Sequence, residues 1–411
     1  MVAHSPGPEE ARRSELLTEM VALSRRFGAD PAFVRAGGGN SSAKADGVLS
    51  IKPSGVSLAM LTEDSLIDLE MAPLLAVLDE PDGTVDPTAG SAHVLRVASA
   101  ARRSPADGRR PSVELLFHAL LPEPLVLHTH PTTVNALTCT THGRDLASEI
   151  FGASALWIPY TDPGLPLARA IRDARRTHAR ETGGPAPRTV LLQNHGLIVS
   201  GDSAAEIEAR CHEVAARIAD RLAGRPPFAW GTVARVEATA SAGMVEALRR
   251  ELGRAEGADL PAKAVVFDDS APALGVAGSE LGHQFALGGP LTPDQIVYAG
   301  SWPLAVLQIP ADAAAAVAAL QAAMAERRRR ELEAPVIVLV AGLGLFAVGE
   351  TARQADTART LYLDATAIAC GAHRLGGLRT MTATERQFIE HWEAEAYRLA
   401  VAAVTTQHPS S

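Results

Sequence analysis

The segment VLLQNHGLIVSGDSAAEIEAR, beginning at Val190, aligns without a gap against VLVAGLGLFAVGETARQADTA, beginning at Val338. The first copy reads as a short apolar strand, a sharp turn, a second strand and a helix, and the apolar positions of the second follow the same order. Gly196 matches Gly344, Gly201 matches Gly349, and the acidic–small pairs Asp202–Ser203 and Glu350–Thr351 coincide. His195 instead falls opposite Leu343. A weaker echo sets LTEDSLI at 61 against LTPDQIV at 291. Duplication explains the match, and so does the general likeness of strand–turn–helix units. Either origin leaves the second copy without a histidine at its turn.

At 411 residues the chain exceeds the size at which one core usually suffices, so two domains are expected. The run GRPPFAWG interrupts everything at Pro226 and Pro227, which sets the expected division at 1–230 and 231–411. Ahead of it, SELLTEMVALSRRFG carries a helical stripe at Leu16, Leu17, Met20, Leu23 and Phe27, ended by Gly28. The glycines and small polar residues of RAGGGNSSAKADG read as a loop, followed by a strand over Val48 to Ile51 and a turn at Pro53 to Gly55. TEDSLIDLEMAPLLAVL begins with a Thr/Asp capping pattern and is compatible with strand then short helix, which periodicity does not decide, and Ile207, Cys211, Val214, Ile218 and Leu222 stripe a helix closed by Gly224. Beyond the division, AKAVVF and APVIVLVAGLGLFAVG read as strands and TARQADTARTLYLDATAIAC as a helix.

A formal net charge of −9 argues against a general nucleic-acid or anionic-membrane surface. The RRRR run at 327 to 330 ends a helix-like stretch, where positive charge suits the helix dipole and solvent. Cys139, Cys211 and Cys370 lie far apart with no paired spacing, which fits a reducing cytoplasm. The first residues lack an apolar core, and no run approaches eighteen apolar residues, so neither a signal peptide nor a membrane span is expected.

The chemistry concentrates in VELLFHALLPEPLVLHTHPTTV. Leu125 to Leu127 read as a buried strand, so His128 and His130, two residues apart, face one side. An isolated pair of this kind is as readily explained by two satisfied polar residues at a strand end. His195, on a turn after the strand TVLL, offers a third nitrogen, and Gly196 lets that turn be tight. Three imidazoles suit Zn²⁺ with one coordination position open, although many folds hold three unrelated histidines.

GGGNSSAK, KPSG, SVELLFHALLP, HTHP, IPYTDPGLPLAR and LLQNHGLIVSG occur in that order over about residues 35 to 205. In order and spacing they resemble the class II aldolase/adducin family, most closely the aldolase portion of the bifunctional rhamnulose-1-phosphate aldolase/alcohol dehydrogenases. GPLTPDQI, VLVAGLGLFAVG and TERQFIEHWEAEAYRL are similar to the part of those fusions that lies between aldolase and dehydrogenase. The resemblance implies an α/β protein: a class II aldolase-like three-layer α-β-α domain and a second, smaller α/β domain, which is a degenerate partial repeat without metal ligands if the internal match is real. It implies Zn²⁺, or another divalent transition metal, on His128, His130 and His195. Glu114 becomes the catalytic acid/base, with a fourth-ligand role in the empty enzyme as the alternative. The metal would polarise a ketose carbonyl and stabilise the enediolate formed when the neighbouring carbon–carbon bond breaks, while the carboxylate moves a proton at that carbon.

The same resemblance assigns phosphate binding to Asn40, Ser41, Ser54, Gly55 and Ser112, with Lys44 and Lys52 adding positive charge nearby. Two departures from the pattern stand out. Val113 occupies the place of a second serine, and within TPDQIVYAG Gln295 and a small residue stand where the fusions carry a His and a Lys. No dinucleotide-binding loop follows Tyr397, so NAD chemistry is not expected. His118, one helical turn beyond Glu114, reads as a packed core histidine or, alternatively, as a supporting contact to the site residues, and His142, His178, His212 and His373 read as bystanders.

The expected activity is a zinc-dependent aldolase (aldehyde-lyase) cleaving a phosphorylated ketose such as rhamnulose 1-phosphate. Epimerases, dehydratases and decarboxylases of the family use the same kind of site, and adducins keep the fold as interaction proteins without the histidines. The expected setting is cytoplasmic, with a small phosphorylated sugar as substrate and neither nucleic acid nor membrane as partner. A homo-oligomer such as a tetramer is expected, and a separate dehydrogenase is a candidate partner. TCTTHGRDLASEIFG is the nearest stretch suited to sugar specificity.

Overall fold

The structure is a computed structural model describing residues 7–81, 87–104, 107–231, 233–254 and 261–393. Tyr397 lies outside the described residues, as do the first six positions of the leader. The chain divides into two units. The first contains the chain up to Thr138, His142–Gly224 and, among the described residues, His391–Glu393; the second contains Cys139–Thr141 and Arg225–Glu390. The Trp392 indole N–H donates to Ser91 Oγ at 3.1 Å, and Glu393 pairs with Arg110 at 2.7 Å, which ties that segment into the first unit. Cys139–Thr141 bonds within the second: Arg379 N–H donates to the Cys139 carbonyl at 2.7 Å and Thr140 bridges to Leu378. Part of the stretch suited to specificity is therefore committed to packing.

The first unit is built on seven strands: β1 (Asn40–Ala45), β2 (Val48–Ile51), β3 (Ile67–Glu70), β4 (Leu125–Thr129), β5 (Leu156–Ile158), β6 (Thr189–Leu192) and β7 (Gly196–Gly201). Their order is β3-β2-β1-β4-β7-β6-β5, antiparallel except for the parallel pair β5 and β6. Helices cover both faces, so β4, β6 and β7 are buried throughout and read as continuous apolar runs. Pro8–Ala29, Thr132–Thr138 and Ala204–Ala223 lie on one face; Leu115–Leu120 and Leu165–Thr182, backed by Met71–Asp79, lie on the other. This is the three-layer α-β-α arrangement.

Two local expectations need correction. The first helix runs through Gly28 to Ala29, and Asp30 caps it by donating its N–H to the Phe27 carbonyl. Gly28 is there because a side chain would strike the Ala59 backbone. The polar stretch Asn40–Ala45 is a strand and not a loop. Its polarity misleads because Asn40, Ser41, Ser42 and Lys44 are all buried, each with hydrogen-bond partners inside the fold.

The second unit has β8 (Ala264–Asp268), β9 (Leu304–Val306), β10 (Ile337–Val340) and β11 (Gly344–Gly349), in the order β8-β11-β10-β9. Ile337 and Leu339 enter one apolar cluster, and Val338 and Val340 enter another on the opposite face. The internal match of the sequence extends to pairing register. Val190↔Ile198 and Leu156↔Val190 in the first sheet correspond to Val338↔Phe346 and Leu304↔Val338 in the second, at one fixed spacing along the chain. The following helices are both capped by a hydroxyl: Ser203 accepts from Glu206 N–H and Thr351 from Gln354 N–H.

Gln295 lies in the helix Pro293–Ala299, where its side-chain oxygen accepts from the Leu291 N–H at 2.9 Å. At the end of the helix Ala313–Arg329, Arg329 and Arg330 pair with Glu326 on the exposed surface, the solvated terminus expected of the RRRR run. No helix among the described residues is long and apolar enough to cross a membrane.

Candidate metal centre

The register of β1 on β4 sets Asn40 directly opposite His128, and β4 on β7 sets His128 opposite Ile198. His130 follows β4, and His195 sits in the turn between β6 and β7. That turn is tight by necessity, because a Cβ on Gly196 would lie 2.5 Å from the Thr129 carbonyl oxygen and 2.8 Å from the His130 ring. The two histidine-bearing segments can approach only with glycine between them.

As a result the three imidazoles converge. His130 Nε2 is 3.0 Å from His128 Nε2, and His195 Nε2 is 3.3 Å from it. These separations approach the edge of a tetrahedron with metal–nitrogen bonds of about 2.0–2.1 Å. His128 donates its Nδ1–H to the Leu197 carbonyl at 3.0 Å, which directs the Nε2 lone pair to the common point. Among the described residues this is the one group of three or more His, Cys, Asp or Glu able to hold a metal ion.

Glu114 stands immediately before the helix Leu115–Leu120, making no side-chain capping bond, and is 6% exposed. Its Oε2 lies 3.4 Å from His128 Nε2 and its Oε1 3.6 Å from His195 Nε2. Asn40 donates its amide N–H to Oε2 at 2.7 Å, whereas Oε1 is buried with no hydrogen-bond partner. Burial pushes this carboxyl up, but His128, His195 and the Asn40 hydrogen bond together hold it below the ordinary range. An orphaned anionic oxygen beside three convergent nitrogens fits a divalent cation.

The five residues assigned to phosphate divide. A bridge between Pro53 and Pro111 joins two loops, with Ser54 N–H donating to the Arg110 carbonyl and Ser112 N–H to the Lys52 carbonyl. Ser54, Gly55 and Ser112 are thereby brought together two residues ahead of Glu114. Ser41 is not, since strand alternation turns its hydroxyl to the opposite face, 2.7 Å from Ser24 Oγ on the first helix. The Asn40 side chain is taken up by Glu114 and His118. Lys52 holds the turn by donating to the Pro53 and Val56 carbonyls. His118 is buried as expected, and it also contacts Asn40, the supporting contact that its four-residue spacing from Glu114 allows. Ser42, two residues beyond Asn40 and on its face of the strand, went unread. His212 packs against Phe27 and Phe33, and His373 packs against Phe228 within the second unit.

Lys44 is buried, donating to the His118 carbonyl at 2.7 Å. Burial drives its ammonium down from 10.5 to about 7, with Glu123 pulling it up and Arg175 pushing it further down. Between those values the unfolded chain holds more protons than the folded one, so stability rises with pH across that window. Lys44→Met is expected to flatten this rise. Urea unfolding at pH 7 and pH 10 should differ by about 2–4 kcal/mol more in the wild type than in the variant. Equal differences would mean that the ammonium stays charged in the fold.

Fold and site together define a sheet protein whose strand ends and turns hold a three-histidine cation site beside a buried carboxylate. A family model described as the Class II Aldolase and Adducin N-terminal domain matches residues 18–219, and one described as Aldolase class II, second domain matches residues 239–399. The chain belongs to the class II aldolase/adducin family. It is 25% identical to the uncharacterized oxidoreductase YuxG of Bacillus subtilis, over 98% of this chain and 61% of that protein, so it spans about three fifths of that relative. The N-terminal class II aldolase domain of a conserved protein from Thermoplasma acidophilum is 25% identical, covering 54% of this chain and 97% of that one with a TM-score of 0.42. An L-fuculose 1-phosphate aldolase from Glaciozyma antarctica is 18% identical, covering 54% and 77% with a TM-score of 0.35.

Proposed function

We propose that this chain is a zinc-dependent aldolase that cleaves a phosphorylated ketose to dihydroxyacetone phosphate and an aldehyde. The observation that carries the reading is the meeting of three imidazole nitrogens with a buried carboxylate oxygen that has no other partner. His128, His130 and His195 are the ligands, and a three-nitrogen set with an open position suits Zn²⁺. When bound, the metal supplies a Lewis acid for the ketone oxygen.

The chain's own residues do the rest. Cleavage breaks the bond from the carbon beside the ketone to the next carbon, whose hydroxyl proton passes to water as the aldehyde forms, while the ionised Glu114 takes a proton up from water. The electron pair stays on the ketone side, and we assign to Glu114 the delivery of a proton to that carbon. Running in reverse, the Glu114 carboxylate removes it. Ser54, Gly55 and Ser112 form the cradle for the phosphate, where small residues let the backbone approach an anion.

Metal analysis of the purified protein, followed by a screen of phosphorylated ketoses for aldehyde release, tests the reading. Stoichiometric zinc with dihydroxyacetone phosphate as product is expected. Metal-bound protein that instead yields an epimer, a dehydrated sugar or carbon dioxide would replace the reaction while keeping the site. A folded protein without metal or turnover would favour an adducin-like interaction role.

A further inference from the structure

We infer that His118 is a positioning residue for Glu114, acting through Asn40 to fix how the carboxylate is turned beside the imidazoles, with Oε2 held and Oε1 left without a hydrogen bond. The inference rests on the reading of Glu114 as the proton-transfer group. Backbone geometry brings the parts together: Asn40 and Ser42 alternate onto one face of β1, while Glu114 and His118 are one helical turn apart above it. Their side chains form a single chain of hydrogen bonds, with Asn40 Nδ2 to Glu114 Oε2 at 2.7 Å, His118 Nε2 to Asn40 Oδ1, and Ser42 Oγ to His118 Nδ1 at 2.7 Å. All four residues are buried, Ser42 and His118 completely.

Every direction in this chain follows from the carboxylate. An ionised Glu114 only accepts, so the Asn40 NH2 group must face it. The Asn40 oxygen then faces His118, and since an amide oxygen cannot donate, His118 must carry its proton on Nε2. Nδ1 is left as an acceptor, which the Ser42 hydroxyl fills. Burial, the neighbouring Lys44 and, more weakly, His128 and Lys52 keep the imidazole neutral, as this tautomer requires. Phe117 stacks on the ring at 4.6 Å and fixes its plane.

Holding Oε2, 3.4 Å from His128 Nε2, leaves Oε1, 3.6 Å from His195 Nε2, as the oxygen without a hydrogen bond. A carboxylate released from Asn40 is free to rotate between the two neighbouring imidazoles, so that its unbonded oxygen no longer has a fixed place. Proton transfer tolerates little such misalignment.

The test uses the full, metal-loaded chain. His118→Phe keeps a ring but offers no nitrogen, and His118→Gln keeps an N–H for the Asn40 oxygen. His118→Phe is expected to lower kcat on the active phosphorylated ketose by about 10- to 100-fold, with metal content unchanged and KM altered less than kcat. His118→Gln should recover most of that loss. A kcat per bound metal equal to wild type in His118→Phe would overturn the inference, as would a joint loss of metal and activity that His118→Gln does not rescue. Nitrogen-15 NMR of histidine-labelled wild type supplies a readout independent of turnover. It should find His118 neutral with its proton on Nε2, and a proton on Nδ1 alone would overturn the inference. If no phosphorylated ketose is cleaved by the wild type, the aldolase reading fails and the NMR result alone decides the positioning chain.

Discussion

Replacing His195 with alanine is expected to strip the metal and abolish turnover together while the sheet stays folded. His195 stands on a turn whose backbone is held independently of its ring, since Asn194 N–H donates to the Thr138 carbonyl and His195 N–H to the Leu192 carbonyl. The apolar cluster behind the sheet, from Leu49 and Leu69 through Phe117 to Ile198, does not depend on the ligand either. Removing one of three nitrogen donors should therefore weaken metal binding by more than the roughly 10- to 100-fold that loss of a supporting partner costs. His128→Ala should behave alike, with an added loss of stability because that ring is fully buried and its removal leaves a cavity. Metal analysis beside thermal melting reads both effects. Full metal retention in both variants would remove these residues from the site.

The Glu114→Gln variant separates proton transfer from metal binding. Glutamine matches the carboxylate in volume and can still accept from the Asn40 amide, so the three histidines should keep their metal. Turnover should nevertheless fall by roughly 10²-fold or more, the usual scale of general acid–base catalysis. Titrating metal into the variant and measuring single-turnover cleavage distinguishes the two. Normal turnover in Glu114→Gln would assign the proton transfer to another group.

Much of this site was legible because its residues announce themselves by type and short-range spacing. His128 and His130 need only the two-residue repeat of a strand to share a face, and the turn residue Gly196 marks where His195 can come close. The polar strand Asn40–Ala45 was not legible, because its partners lie far along the chain: Glu114, His118 and Ser24 satisfy it only once the sheet has formed. Composition reports a stretch like that as solvent-loving, and burial with satisfied hydrogen bonds leaves no local trace. Ser41 shows the complementary error. A motif position can match a family pattern while strand alternation sends the side chain to the other face. The second unit's strands were readable from apolar runs alone, whereas the shared pairing register depends on which strands meet.

The hairpin at Gly344 gives the hairpin at Gly196 an internal control. A side chain at either glycine would strike the carbonyl of the adjoining strand, Thr129 in one case and Asp268 in the other. Leu343, at the place of His195, is itself buried, so the same chain path is compatible with an apolar residue there. Sensitivity to substitution at 344 thus reports clearance between backbones, whereas a side chain at 196 would meet the His130 ring as well as the Thr129 carbonyl. Among these turn positions, a scan reveals reactivity where the paired hairpins respond differently, and residue 195 against residue 343 is the comparison that isolates it.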